Sequence, residues 1–544
     1  MKTRRLSTII KISRSKKRGS TMQVYTSDDL KEFITRELQT LATDGVRHSR
    51  FCKADLDTFL HNSSHKVCGI YGLRRTGKTT LMYQTISEMD CNNVVFMKCT
   101  PNDSYVDIEN VIQNVPQTYI FIDEITKADG FIRLSSSLYD DYPTKKIVIA
   151  GTDSAAMLFA KEDELFDRID LIHTTYISFA EFHYLLGKSL DDYIRYGGTL
   201  TDGAKIYNED SLAEYTNTAI VSNICKSVEV GGRDIPHRRL YDLYISGMLE
   251  SVINKTIERQ AREFSLNVVQ GVFSKSNNFG SAKDLTIQQD IPKEDKVALA
   301  NWKDHTEVCR YISEQLRMQP ATGIKESDFE LMTKFLMKLD VLSKKPNGEI
   351  FFTQCGMQYC FAEILINNIV HSMQFRKLFQ RTQTVFLEKL HQDAVGHILE
   401  NVIQTDVMKC PALSKMETGK ADDIGNGEFD FYILNPNTQE ALIYEIKRSS
   451  VIVPKQYRHL ANQELCNDFE RLYQCKIIGK SVLYQGKPQM LDNGICYQNI
   501  SDFLLHIEDA TKCLVKDTEK DKDMNTEKTK NVSDKLLDDY EEER

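Results

Sequence analysis

Tyr71-Gly72-Leu73-Arg74-Arg75-Thr76-Gly77-Lys78-Thr79-Thr80 is the stretch whose reading decides the fold of this chain. Residues 72–79 fit the pattern GxxxxGK[ST]. They follow an apolar run, Val67–Tyr71, and open a helical run, Thr80–Met89, which is the strand–loop–helix context the pattern requires. Glycines let such a loop wrap phosphates with its backbone N–H groups, and the helix N-terminus adds a favourable partial charge. Lys78 is placed to reach β- and γ-phosphates, and the Thr79 hydroxyl to ligate Mg²⁺. A glycine turn beside a solvated lysine would need neither flanking element. The candidate cofactor contacts are therefore Gly72, Leu73, Arg74, Arg75, Thr76, Gly77, Lys78, Thr79 and Thr80.

Working outward, Thr118-Tyr119-Ile120-Phe121-Ile122-Asp123-Glu124 is an apolar strand ending in two acids, the Walker B arrangement. Asp123 would hold Mg²⁺, and Glu124 would polarise the attacking water as general base. A further strand, Ile147–Ala150, runs into Gly151-Thr152-Asp153, where the Thr152 hydroxyl can sense the γ-phosphate. The runs Lys66–Tyr71, Asn93–Lys98, Thr118–Asp123, Lys146–Gly151 and Leu171–Ile177 alternate with helical stretches. Near-continuous apolar strands in that alternation predict a doubly wound parallel sheet covered on both faces, the α/β P-loop NTPase class.

The rest of the composition sets bounds. The chain has 544 residues, 41% hydrophobic and 27% charged, with a net charge of −9, which suits several soluble domains. No apolar run approaches the roughly 18–20 residues that span a bilayer, so no membrane partner is expected. The 13 cysteines include no CxxC pair, which argues against a disulfide scaffold or structural zinc site and for a reducing, cytoplasmic setting. An acidic body does not suit nonspecific coating of nucleic acid, so DNA contact would need a local patch.

The charge is uneven along the chain. Residues 1–20 carry eight Lys/Arg and no acid, and residues 516–544 are densely charged with almost nothing to bury. These read as a basic extension and a disordered or loosely helical tail. Phe329–Leu339 is an amphipathic run leading to a hairpin turned at Pro346-Asn347-Gly348, with Lys334, Lys338, Lys344 and Lys345 around it. Residues 428–447 read as a second hairpin. Glu445 and Lys447 share a face of its second strand because side chains alternate, and Asp430 lies on its first. Two carboxylates and an amine could bind a divalent cation and orient water on a phosphodiester. They could equally be a structural cross-strand pair, and ExK also occurs at Glu294-Asp295-Lys296 in a polar stretch.

In these motifs the chain resembles prokaryotic AAA-class P-loop ATPases whose first motif reads GxRRTGKT, followed by a winged helix and a C-terminal domain resembling PD-(D/E)xK nucleases. The resemblance rests on residues 71–80, Phe121-Ile122-Asp123-Glu124, Ile149-Ala150-Gly151-Thr152 and Ile177-Ser178-Phe179-Ala180-Glu181-Phe182. It implies ATP and Mg²⁺ as cofactors, with Mg²⁺ or Mn²⁺ at a nuclease-like centre of Glu400, Asp430 and Glu445. It implies catalytic roles for Lys78, Glu124, Asp430, Glu445 and Lys447. It also implies a γ-phosphate contact from Arg168, within the subunit or from a neighbour in a homo-oligomer, and DNA as partner.

The expected organisation is a basic extension and leading helix (1–44) and an ATPase domain (45–182). A helical region with winged helix (183–380), a restriction-endonuclease-like α/β domain (381–508) and a charged tail (509–544) complete it. Two functions fit: an ATP-dependent DNA-processing enzyme, or a nucleotide-switched regulatory or scaffold ATPase whose last domain binds a partner without cutting.

Overall fold

The computed structural model describes residues 22–46, 48–62, 64, 66–129, 137, 138, 140–162, 168–201, 203–232, 235, 237–274, 305–317, 323–373, 383–425 and 427–514. The basic extension to residue 21, the Glu294-Asp295-Lys296 triplet and the tail from 515 lie outside the described residues. Among the described residues no helix is long and apolar enough to cross a membrane.

The P-loop strand sits inside a six-stranded sheet. Its members are β1 (Gln23–Thr26), β2 (Val67–Tyr71), β3 (Val94–Lys98), β4 (Tyr119–Asp123), β5 (Lys146–Ala150) and β6 (Ile169–His173). Their order is β1-β3-β4-β5-β2-β6, and every pair is parallel except β1 with β3. Side-chain alternation explains the two layers that cover it. From β3, Val94 and Phe96 face Leu30 and Phe33 of helix α1 (Ser27–Thr43), Leu56 of α2 (Lys53–Asn62) and Leu81 of α3 (Lys78–Ser87). Val95 and Met97 face Ile108 and Ile112 of α4 (Tyr105–Asn114) on the other side. Both faces are apolar, so the strands read as unbroken hydrophobic runs.

Three boundaries differ from the sequence reading. β1 and α1 belong to this sheet and its helical layer, so the ATPase unit begins before residue 45; β1 pairs Gln23–Thr26 with Val95–Lys98. The last strand is Ile169–His173 instead of Leu171–Ile177, and Thr174–Ile177 leaves the sheet to pass under the P-loop. Residues 509–514, assigned to the tail, are helical, and Leu514 is buried. Its carbonyl accepts from the Asn435 amide at 2.7 Å.

A helical region follows. The Glu326–Lys338 helix leads through Asp340, at φ +57°, into a hairpin of β7 (Leu342–Lys344) and β8 (Ile350–Phe352). Of the four lysines around this hairpin, Lys345 is largely buried and its ammonium is held by Glu349 at 2.9 Å. Burial and that partner remove it from the surface charge. The C-terminal sheet is mixed: β9 (Glu417–Ile424), β10 (Gly427–Asn435) and β11 (Glu440–Ile446) are antiparallel, and β11, β12 (Lys476–Tyr484) and β14 (Cys496–Asn499) run parallel. β13 (Gln489–Met490) pairs antiparallel with β14 at its edge.

Polar contacts join these parts near the nucleotide loop. His173 stacks on Tyr71 at 4.4 Å between ring centroids and pairs with Asp340 at 3.2 Å. Lys409 also pairs with Asp340 and lies over the Tyr176 ring. Tyr176 donates its hydroxyl to Asp406, whose other oxygen accepts the Phe179 N–H at 3.0 Å. The helical parts after residue 183 therefore touch the ATPase sheet at the end where its loop emerges.

Candidate nucleotide-binding site

The loop between β2 and α3 turns on two glycines. Gly72 adopts φ +150°, and a side chain there would crowd the Thr174 hydroxyl and the Thr175 amide. Gly77 adopts φ +89° as the N-cap of α3, packed against Leu200 and the Arg50 guanidinium. A β-carbon is excluded at both, by backbone conformation as well as by space. The Gly72 N–H donates to the Ser154 hydroxyl at 3.0 Å and the Leu73 N–H to Thr175 at 3.1 Å. These two residues, read as cofactor contacts, thus have their amides engaged in shaping the loop.

Lys78 projects into the loop, donating to the carbonyls of Gly72 at 2.7 Å and Leu73 at 2.9 Å. Burial lowers its pKa to about 8 even though Glu124 and Asp123 pull the other way. Anionic phosphates beside it would restore the ordinary ammonium range. The Thr79 hydroxyl donates to Asp123 at 3.0 Å, so the two oxygens expected to share a Mg²⁺ are adjacent and of the hard type that cation prefers. Burial and the neighbouring Glu124 raise the pKa of Asp123.

Glu124 stands at φ +58° immediately after β4. Burial alone would raise its pKa, but the Thr152 hydroxyl and Lys127 outweigh it and hold the carboxyl below its usual range. The Thr152–Glu124 hydrogen bond therefore joins the strand ends of β5 and β4. Arg74 and Arg75 tie the loop to the helical region through their carbonyls. Arg74 accepts from the Tyr215 hydroxyl at 3.2 Å, Arg75 from the Leu200 amide at 2.9 Å. Tyr215 also meets Gln354, which donates to the Gly198 carbonyl at 2.7 Å. Thr80 is buried in the first turn of α3, on the same face as Gln84, and the Thr76 hydroxyl donates to Leu73 at 2.8 Å.

The residue most plainly missed from sequence is Arg50. It is buried, pairs with Glu181 at 2.6 Å, and donates to the Thr76 carbonyl in the loop. Glu181 also accepts the Phe51 N–H at 2.7 Å and sits in the first turn of the Phe179–Leu186 helix, which Ser178 caps. No local pattern marks Arg50, because its partner lies 131 residues away.

Arg168 lies just before the last strand, where the resemblance puts such an arginine. The register pairs Val67 with Ile169 and Tyr71 with His173, so Arg168 precedes β6 at the sheet end opposite the loop. Five residues at about 3.3 Å each put it roughly 16 Å from the loop end of the sheet. It pairs with Asp140 at 3.2 Å. A γ-phosphate contact within the same subunit is thereby set aside.

At the C-terminal hairpin, the register of Phe431 with Tyr444 brings Asp430 alongside Glu445. Lys447 bridges them, at 2.8 Å from Asp430 and 2.6 Å from Glu445. His459 approaches Glu445 at 3.2 Å. Burial and the Asp430 charge push Glu445 up to about 8, while Asp430, despite burial, is held low by Lys447 and the Ile446 N–H. Glu400 lies on the Gln383–Met408 helix, 3.9 Å from His397. Lys420, paired with Glu428 at 2.8 Å, feels the charges of both Glu400 and Asp430. Among the described residues no group of three or more His, Cys, Asp or Glu stands ready to hold a metal.

Comparison with known proteins bears on the segment that carries the first of these sites. Residues 64–183 match the family model described as an AAA domain. No curated protein matches the chain. Among solved structures the chain is similar to the Walker-type ATPase PABY2304 of Pyrococcus abyssi, at 12% identity over 57% of this chain and 94% of that one, with a TM-score of 0.27. A superposition that loose fixes neither fold nor chemistry. The family match, the parallel sheet and the loop together make this segment a P-loop ATPase domain of the AAA type.

Proposed function

We propose that the chain binds and hydrolyses ATP with Mg²⁺ and couples that cycle to a winged-helix and nuclease-like C-terminal part acting on DNA. The observation that carries the ATPase reading is the 3.0 Å bond from Thr79 to Asp123 beside the loop-buried Lys78. Lys78 would neutralise the β- and γ-phosphate oxygens, and Thr79 with Asp123 would hold the Mg²⁺, which spreads the charge developing during transfer. Glu124 would orient the attacking water, and Thr152, bonded to it, would register the γ-phosphate. Arg168, remote from its own loop, would serve only a neighbouring subunit.

For the C-terminal centre, Asp430, Glu445 and Lys447 would hold Mg²⁺ or Mn²⁺ and position water, with Glu400 as an additional acid. A second reading is favoured by one observation: Lys447 lies between the two carboxylates as a cross-strand clamp. On that reading the domain binds a partner without cutting, and the ATPase acts as a switch. Full-length protein assayed with ATP, Mg²⁺ or Mn²⁺ and a panel of DNAs, scoring hydrolysis and cutting together, separates the two. Cutting lost in Asp430→Ala supports the enzyme; hydrolysis stimulated by DNA without cutting supports the switch.

A further inference from the structure

The water-activating carboxylate has a partner that no motif marks. Glu124 begins a tight turn, Ile125–Lys127, closed by the Lys127 N–H donating to the Glu124 carbonyl at 3.0 Å. Ile125 and Thr126 are buried, and the Thr126 hydroxyl accepts the Asp153 N–H at 3.3 Å. Gly151 packs so closely on Thr126 that a side chain at 151 would collide with it. The turn is therefore clamped between the ends of β4 and β5, and the root of Lys127 is fixed.

From there the Lys127 ammonium reaches Glu124 Oε2 at 3.2 Å, the same oxygen that accepts from Thr152. Among the described residues Oε1 has neither a hydrogen bond nor an ion pair. A carboxylate that is to orient water needs one oxygen held and the other available. The pair is about a third exposed on the lysine side, where an ion pair contributes little to stability. Its consequence is directional: it removes the freedom of Glu124 to rotate.

We propose that Lys127 is a positioning residue for ATP hydrolysis, holding Glu124 by Oε2 so that Oε1 faces the attacking water. This rests on the ATPase reading above and adds to it a residue three positions beyond the Walker B pair. Lys127 touches neither phosphate nor water in this account; it acts through Glu124.

The test uses the full-length chain with ATP and Mg²⁺, measuring steady-state turnover and, separately, ATP binding. Lys127→Met is expected to lower kcat ~10-fold while ATP affinity changes less than ~2-fold, the signature of lost orientation without lost binding. Lys127→Arg keeps a cation within reach of Oε2 and is expected to recover turnover to within ~3-fold of wild type. Because Glu124→Gln already lacks the acting carboxylate, Glu124→Gln/Lys127→Met is expected to be no slower than Glu124→Gln alone. Wild-type turnover in Lys127→Met overturns the proposal, as does a parallel loss of ATP affinity or a double variant slower than the single. A wild-type chain that binds ATP but never hydrolyses it, or a Glu124→Gln variant as fast as wild type, refutes the ATPase reading itself.

Discussion

Replacing Asp406 with asparagine should make the protein more stable at alkaline pH and leave it nearly unchanged in acid. Asp406 is wholly enclosed where the Gln383–Met408 helix meets the Tyr176–Phe179 segment, and burial pushes its pKa to about 7 from an ordinary 3.8, although Tyr176 and the Phe179 N–H oppose this. Between those two values the folded state holds a proton that the unfolded state has lost. Stability from this group is thus complete below about pH 4 and falls as pH rises through 7. The full difference is about 4 kcal/mol, reached above pH 7. Asparagine mimics the protonated side chain: its oxygen can accept from Phe179 and its amide can donate to the Tyr176 oxygen. At about 2.1 cal/mol/K per residue, a cooperative unit of roughly 500 residues moves by about 1 °C per kcal/mol. Thermal melts of wild type and Asp406→Asn should therefore diverge by about 2 °C between pH 5.5 and 8.5, the variant melting about 4 °C higher at pH 8.5. Taking the difference at each pH cancels the titration of other groups. A difference that stays constant across the range, or a variant that melts lower at pH 8.5, would refute the reasoning.

Glu181→Ala should cost about 3–5 kcal/mol, because it leaves the Arg50 guanidinium buried without its counter-charge. Denaturant unfolding measures the loss, and ATP affinity should fall with it because Arg50 holds the Thr76 carbonyl. Arg50→Met with Glu181→Leu should recover much of that stability, since an apolar pair leaves no stranded charge. Tyr215→Phe removes a hydroxyl bonded to the Arg74 carbonyl and Gln354. It should cost on the order of 1 kcal/mol in unfolding experiments, while any stimulation of hydrolysis by DNA should weaken more than basal turnover.

How much of this was open to reading depended on distance along the chain. The Gly72–Thr80 loop and the Asp123-Glu124 pair were legible because each motif is contiguous and its flanking apolar runs are short. The Asp430, Glu445 and Lys447 grouping was legible because a four-residue turn joins its strands and side chains alternate. Arg50 was not, since its role exists only where Glu181, Thr76 and Thr174 converge. Asp406 looks like any of the four acids on its helix until Tyr176 is placed against it. The sequence Ile169-Asp170-Leu171-Ile172-His173-Thr174-Thr175-Tyr176-Ile177 carries β-branched residues throughout, so composition alone did not say where the last strand stops. β1 is only four residues long, and as an edge strand it leaves no periodic signal apart from its neighbour.

The central claim is a triphosphate held by the loop after β2, and calorimetric titration of ATP with Mg²⁺ tests it most directly. Saturable heat is expected from the wild-type chain. It should be lost or weakened at least ~100-fold in Lys78→Ala, since the truncated side chain removes the ammonium facing the phosphates. Folded wild-type protein that takes up no nucleotide, or a Lys78→Ala variant that binds as tightly as wild type, would contradict the account.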